Sequence, residues 1–226
     1  MEIINSNLID PHNPLMSATD MLTDALDRRD YEGSLANCHA PGLDSIVLKN
    51  NSVVNGGMAR IFLAHEETHP LGQIIDEESG NFVIGVHDHR FPLTIVPLLG
   101  SFVNYEVTAD PEGSEQLHEY AFSSGINGTM GVSYQRQVTV RPPHFNEQEP
   151  GGLIRMTAND LHTVIIPNRN TVNKWTAWLV LEEPTEKTSH IYSPTDHLSL
   201  NSEGLYQPLD PALAKDAIER ILIEIS

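Results

Sequence analysis

Residues 82–100 read FVIGVHDHRFPLTIVPLLG, and the reading of this stretch decides the fold. An apolar run, Phe82–Val86, leads into His87-Asp88-His89, and a second apolar run, Leu93–Leu98, follows. Runs this short, rich in Val, Ile, Leu and Phe, read as strands rather than helix turns. On a strand, residues two apart share a face, so His87 and His89 project together while Asp88 points away. Two imidazoles on one side of a strand can meet one ion at about 2.0–2.1 Å per nitrogen when further ligands arrive from elsewhere in the chain.

Short runs of the same kind continue on both sides. They are Ser45–Leu48, Met58–Ala64, Gly72–Ile75, Phe102–Val107, Val132–Val140, Leu153–Met156, Leu161–Ile166 and Trp175–Leu181. Turn-forming pieces such as Asn55-Gly56-Gly57, Asp110-Pro111-Glu112-Gly113 and Asn159-Asp160 separate them. Many short strands at this spacing imply an all-β sandwich or barrel. Val132–Val140 alternates, with Val132, Tyr134, Arg136, Val138 and Val140 on one face. Helices are expected only at the ends. Ser17–Arg29, with Ser17 as cap and Met21, Leu22, Ala25 and Leu26 on one face, reads as the first. Pro211–Ile225 reads as the second, through Leu213, Ala217, Ile218, Ile221, Leu222 and Ile225. Pro142–Gly152 and Pro184–Pro211 read as loops. The economical organisation is a single domain: a helical N-terminal extension over about 15–35, a barrel over about 45–183, and a loop with a C-terminal helix over 184–226.

Composition removes several function classes. The chain of 226 residues carries 13 Lys+Arg against 31 Asp+Glu, a net charge of −18. Such a field repels phosphate backbones and anionic bilayers, so neither nucleic acid nor a membrane surface is an expected partner. The single cysteine, Cys38, excludes an internal disulfide and a cysteine-based zinc site. No run approaches the roughly 20 apolar residues of a spanning helix, and Met1–Leu15 lacks a basic region followed by an apolar run. A cytoplasmic setting is therefore expected.

The segment around His87 resembles the first motif of the cupin family, G-x5-H-x-H-x3,4-E-x6-G. His87 and His89 fill the histidine places and Gly100 the closing glycine, while Leu93 stands where the family has its Glu ligand. The second motif, G-x5-P-x-G-x2-H-x3-N, is similar to the stretch from Gly151 to Ile166. Gly151 and His162 fall in place there, and Thr157, Asn159 and Ile166 depart from it. The resemblance implies a cupin-like double-stranded β-helix, a jelly-roll barrel, with flanking helices. It also implies a three-histidine metal site of His87, His89 and His162, and pairing of two chains as a homodimer.

Cupins without the Glu ligand include thiol dioxygenases of the cysteine dioxygenase kind. The resemblance to them implies Fe(II), a small anionic thiol or carboxylate substrate, and dioxygen. Zn, Ni or Mn also suit three imidazoles. Arg60, at a similar distance before the triplet, takes the place of the arginine that pairs with the substrate carboxylate. The family's downstream His–Tyr pair is missing; Trp175-Thr176-Ala177-Trp178 stands there. Tyr105, Tyr134, Trp175 and Trp178 are candidates for the barrel interior, with Tyr134 also a candidate catalytic residue; plain core is the alternative. His162 could equally be a core histidine. His39, His118, His190 and His197 carry no pattern. Two functions stay open: a non-haem Fe(II) dioxygenase, or a non-catalytic small-ligand or scaffold cupin. A metal-dependent isomerase or hydrolase is disfavoured by Leu93.

Overall fold

The computed structural model describes residues 8–39, 42–48, 57–64, 85–124, 130–166, 175–184, 188–196, 198 and 204–226. The first helix, α1 (Pro14–Arg28), starts one turn before the expected Ser17. Pro14, with its fixed φ, opens the helix after Asn13. The Ser17 amide already bonds to the Asn13 carbonyl, so Ser17 lies inside the first turn. Ala18, Met21, Leu22 and Ala25 form the buried face.

Among the described residues fourteen strands follow: β1 (Leu35–Ala36), β2 (Leu43–Leu48), β3 (Met58–Ala64), β4 (Val86–His87), β5 (Leu93–Leu99), β6 (Phe102–Val107), β7 (Glu115–Ser124), β8 (Met130–Val140), β9 (His144–Gln148), β10 (Ile154–Met156), β11 (Leu161–Ile165), β12 (Thr176–Glu182), β13 (His190–Ser193) and β14 (Gln207–Pro208). The C-terminal helix α2 (Pro211–Ile225) matches the expected range. One seven-stranded sheet has the order β10-β5-β12-β3-β2-β1-β14, the other β8-β7-β13-β4-β11-β6-β9. Strands adjacent in sequence, such as β5 and β6 or β9 and β10, fall in opposite sheets. This is the expected all-β jelly roll with a helix at each end.

The first sheet is covered on both faces. Its outer face meets α1 and α2 through Ile46, Ile61, Val96, Leu98 and Leu179, packed with Leu22, Ile218 and Ile221. Its inner face meets the second sheet through Leu93, Ile95, Trp178 and Val180, with Phe102 and Val164 opposite. Hence β5 and β12 are buried at every position and read as largely apolar runs rather than alternations. Pro97 interrupts β5 where the register with β12 slips between Ala177 and Trp178. A strand tolerates proline at such a bulge.

Several sequence expectations are corrected. The expected loop Pro142–Gly152 contains β9, antiparallel to β6. The expected loop Pro184–Pro211 contains β13 and β14. The alternation in β8 fails because its register with β7 shifts between Glu119 and Tyr120. Arg136 then lies opposite Glu119, Tyr134 opposite Tyr120, and Gln135 has no register partner. The expected strand Gly72–Ile75 and residues 82–84 of the run before His87 lie outside the described residues.

Candidate metal centre

His87 ends β4, and His162 is the second residue of β11. The two strands are antiparallel neighbours with His162 directly opposite His87. His89 lies two residues beyond, where its amide bonds to the Ala158 carbonyl at 3.3 Å. Ring centroids are 4.9 Å apart for His87 and His89, 5.1 Å for His87 and His162, and 4.8 Å for His89 and His162. One ligand nitrogen from each histidine falls within 4.8 Å of the others.

Hydrogen bonds orient two of the rings. His87 Nδ1 donates to the Gly85 carbonyl at 3.0 Å, which leaves Nε2 with its lone pair. His162 Nδ1 stands 2.7 Å from Asn104 Oδ1. Asn104 Nδ2 donates to Glu106 Oε1 at 2.6 Å, so Asn104 Oδ1 accepts and His162 Nδ1 carries the proton. His162 Nε2 is thereby freed, 3.2 Å from His89 Nε2. Two nitrogens bound to one ion at about 2.0–2.1 Å and near-tetrahedral or octahedral angles stand roughly 2.8–3.4 Å apart. Burial lowers the pKa of both His87 and His162, and proximity to His87 lowers His162 further. Neutral imidazole is the form that ligates. This donor set fits a divalent ion.

A cavity of about 340 Å³ lies between the sheets beside these rings. Phe62, Leu93, Trp178 and Val180 of the first sheet form its far wall. Leu93 is buried, and among the described residues no carboxylate joins the histidine cluster. A carboxylate does stand on the neighbouring strand: Glu182 is opposite Leu93 in register and also lines the cavity. It faces Arg60 instead, with Arg60 Nε 2.7 Å from Glu182 Oε1 and Nη2 donating to Oε2 at 3.2 Å. Burial raises the Glu182 pKa, and the guanidinium opposes that rise.

Of the residues marked in the sequence, His87, His89, His162 and Arg60 line this one cavity. Tyr134 does not reach it. It is 55% exposed on β8, its ring against Tyr120 and His118. Trp178 lines the cavity, whereas Trp175 sits under Arg220 of α2, whose guanidinium is 3.7 Å from the indole centroid. Asp88, between His87 and His89, is buried and also borders the cavity. It accepts from the His190 amide at 2.6 Å and contacts His190 Nδ1 at 3.0 Å, tying the end of β4 to β13.

Sequence reasoning missed Asn104, His39, Arg90 and His190. Asn104 had a signal, a polar residue inside the apolar strand β6 that is fully buried. His39 lines the cavity, contacts Tyr206 Oη at 2.7 Å and has its pKa pushed down to about 3 by burial, with His87 and Arg60 adding repulsion. Neither His39 nor His190 stands at a telling spacing, because sheet pairing brings each to its place. A second, wider cleft of about 680 Å³ borders Asp88 and His190 with Glu119, Arg136 and Tyr192, and none of the three clustered histidines lines it.

No family model matches the chain, and no curated protein matches it. Similar solved structures include a cupin domain from Bordetella pertussis Tohama I, at 15% identity, 63% coverage of this chain and 93% of that one, with a TM-score of 0.31. The Drosophila melanogaster CENP-C cupin domain is 12% identical over 74% of this chain and 97% of its own, with a TM-score of 0.34. An 11S globulin from Wrightia tinctoria is 12% identical over 69% of this chain and 32% of its own, with a TM-score of 0.35.

Proposed function

We propose that His87, His89 and His162 hold one divalent metal ion, and that the protein is a non-haem Fe(II) dioxygenase acting on a small organic substrate. The observation that carries this reading is the convergence of three histidines whose ligand nitrogens lie within 4.8 Å of one another, two of the rings oriented by hydrogen bonds on the opposite ring nitrogen. Such outer partners set the tautomer and orientation of a ligating imidazole. Iron held by His87, His89 and His162 would supply dioxygen chemistry there. Zn, Ni or Mn suit the same donors.

The chain's own residues do the rest. Three neutral imidazoles leave a divalent charge uncompensated, and Leu93 adds no carboxylate, so an anionic donor group such as a thiolate or carboxylate is favoured at the ion. Arg90, next to His89 in the chain, lines the cavity and reinforces that preference. Phe91, Leu93 and Trp178 keep water from the bound substrate.

Purified protein is expected to carry about one metal ion per chain by elemental mass spectrometry, and His87→Ala or His162→Ala to lose it while staying folded. An oxygen electrode with a panel of thiols and small acids then reads turnover. A folded wild type with no metal overturns the reading. The second reading, a non-catalytic small-ligand cupin, is favoured by one observation: Arg60 is engaged by Glu182 rather than free. Full metal with no dioxygen uptake across the panel would select it.

A further inference from the structure

We propose that this cavity selects a molecule whose only acidic group is the one at the metal end, with an uncharged body of one or two rings. The inference rests on the metal reading for its acidic end and on the far wall for its body.

Arg60 is the residue that would sort substrates by a second charge, and its charge is already matched. Nε stands 2.7 Å from Glu182 Oε1 and Nη2 bonds to Oε2 at 3.2 Å. Nη1 donates to Ser45 Oγ at 3.1 Å, and the second contact of Nη2 is Met58 Sδ at 2.8 Å. The Arg60 and Glu182 side chains are only 17% and 10% exposed. An incoming carboxylate that claimed Arg60 would leave Glu182 buried beside a shared counter-charge, which is unfavourable. A cationic group meets the reverse problem, since Glu182 is held by Arg60.

The rest of the far wall is apolar and aromatic. Phe62 and Trp178 stack with centroids 5.8 Å apart and planes inclined by 23°. Phe91 lies against His89 at 6.2 Å and 26°, which carries an aromatic surface up to the histidines. His39, between Phe62 and Tyr206, is uncharged at neutral pH. A cavity of roughly 150 Å³ holds one benzene, so about 340 Å³ admits on the order of two rings. Among the described residues, the other cationic side chain of the lining is Arg90, which adjoins the proposed metal position at the histidines.

Two probes separate the charge of the body from that of the metal end. Both 4-methylcatechol and 3,4-dihydroxybenzoate offer the same catechol to a metal, and they differ in a methyl or a carboxylate on the far side. Anaerobic calorimetry on the purified protein is expected to give binding of 4-methylcatechol roughly tenfold tighter or more. Glu182→Gln removes the matching carboxylate and is expected to raise affinity for 3,4-dihydroxybenzoate by roughly tenfold, with little change for 4-methylcatechol. Should Glu182→Gln fail to fold, the paired Arg60→Gln/Glu182→Gln variant, which removes both charges, is expected to keep the wild-type order. A wild type that prefers the carboxylate probe, or binds 4-methylcatechol more weakly than about 1 mM, overturns the inference. Metal content measured on the same sample keeps the two readings apart. An empty wild type overturns the metal reading, and a metal-loaded wild type that prefers the carboxylate overturns this inference alone.

Discussion

Asn104 shows how one residue sets the chemistry of another. It is fully buried on β6, and its amide is spent at both ends, on Glu106 and on His162. The direction of that chain fixes the His162 proton on Nδ1 and so presents Nε2 to the cluster. Without Asn104, His162 can take either tautomer, and its ring loses the hydrogen bond that orients it. Asn104→Ala is expected to weaken metal binding by about 10–100-fold while leaving all three ligands in place. Competition of the metal-loaded variant against a chelator, followed by elemental analysis, measures this. Unchanged retention would show that Asn104 serves only to satisfy β6. Asn104→Asp, which keeps an acceptor for the Nδ1 proton, is expected to restore much of the affinity. The pairing of His87 with His89 was legible from the sequence, since His-x-His after an apolar run is a local pattern. Asn104 was not, because its partner is 58 residues away and only the β6–β11 pairing reveals it.

At the scale of elements, the corner between β5 and β6 is the point where the chain passes from one sheet to the other. Gly100 makes this corner at φ +67°, a conformation that disfavours side chains. A Cβ there would stand 2.8 Å from both Thr176 Oγ1 and the Trp175 carbonyl. Gly100→Ala is therefore expected to cost about 1–3 kcal/mol and to lower Tm by about 2–4 °C for each kcal/mol. Thermal unfolding followed by circular dichroism measures it, and an unchanged Tm would mean that β12 yields without cost. The same glycine was visible in the sequence as the closing residue of the His-containing motif. Elements with an apolar signature were legible in the same way: β3, β6 and α2 stand at the expected boundaries. β9, β13 and β14 were not, because their stretches are rich in Pro, Ser, Asn and charged residues. β9 and β14 are mostly exposed, and edge strands of this kind are specified by a partner's backbone rather than by their own apolar side chains. β4 gains its place the same way, held between β11 and β13 with Asp88 anchored on His190.

In the whole molecule, the first sheet separates two apolar layers with different tasks. The outer layer joins α1, α2 and the outward residues of β2, β3, β5 and β12. The inner layer, built on Leu93, Ile95, Trp178 and Val180, borders the cavity. Stability and ligand chemistry are thus placed on opposite faces of the same strands. Ile218 lies in the outer layer and is fully buried. Truncating it removes three carbons and opens a cavity that the two helices and the sheet can close only in part. Ile218→Ala is expected to cost about 2–5 kcal/mol. Because the sheet stands between this void and the histidines, metal content at room temperature is expected to stay at the wild-type level. Chemical denaturation and elemental analysis of one preparation test both halves of the statement. Loss of metal from a variant that is still folded would show that the sheet transmits strain from the helices to the site. A natural route for such strain is Arg220 over Trp175, since that contact ties α2 to the start of β12, next to the Gly100 corner. Trp175→Leu is the matching control, since it cuts the route without emptying the outer layer.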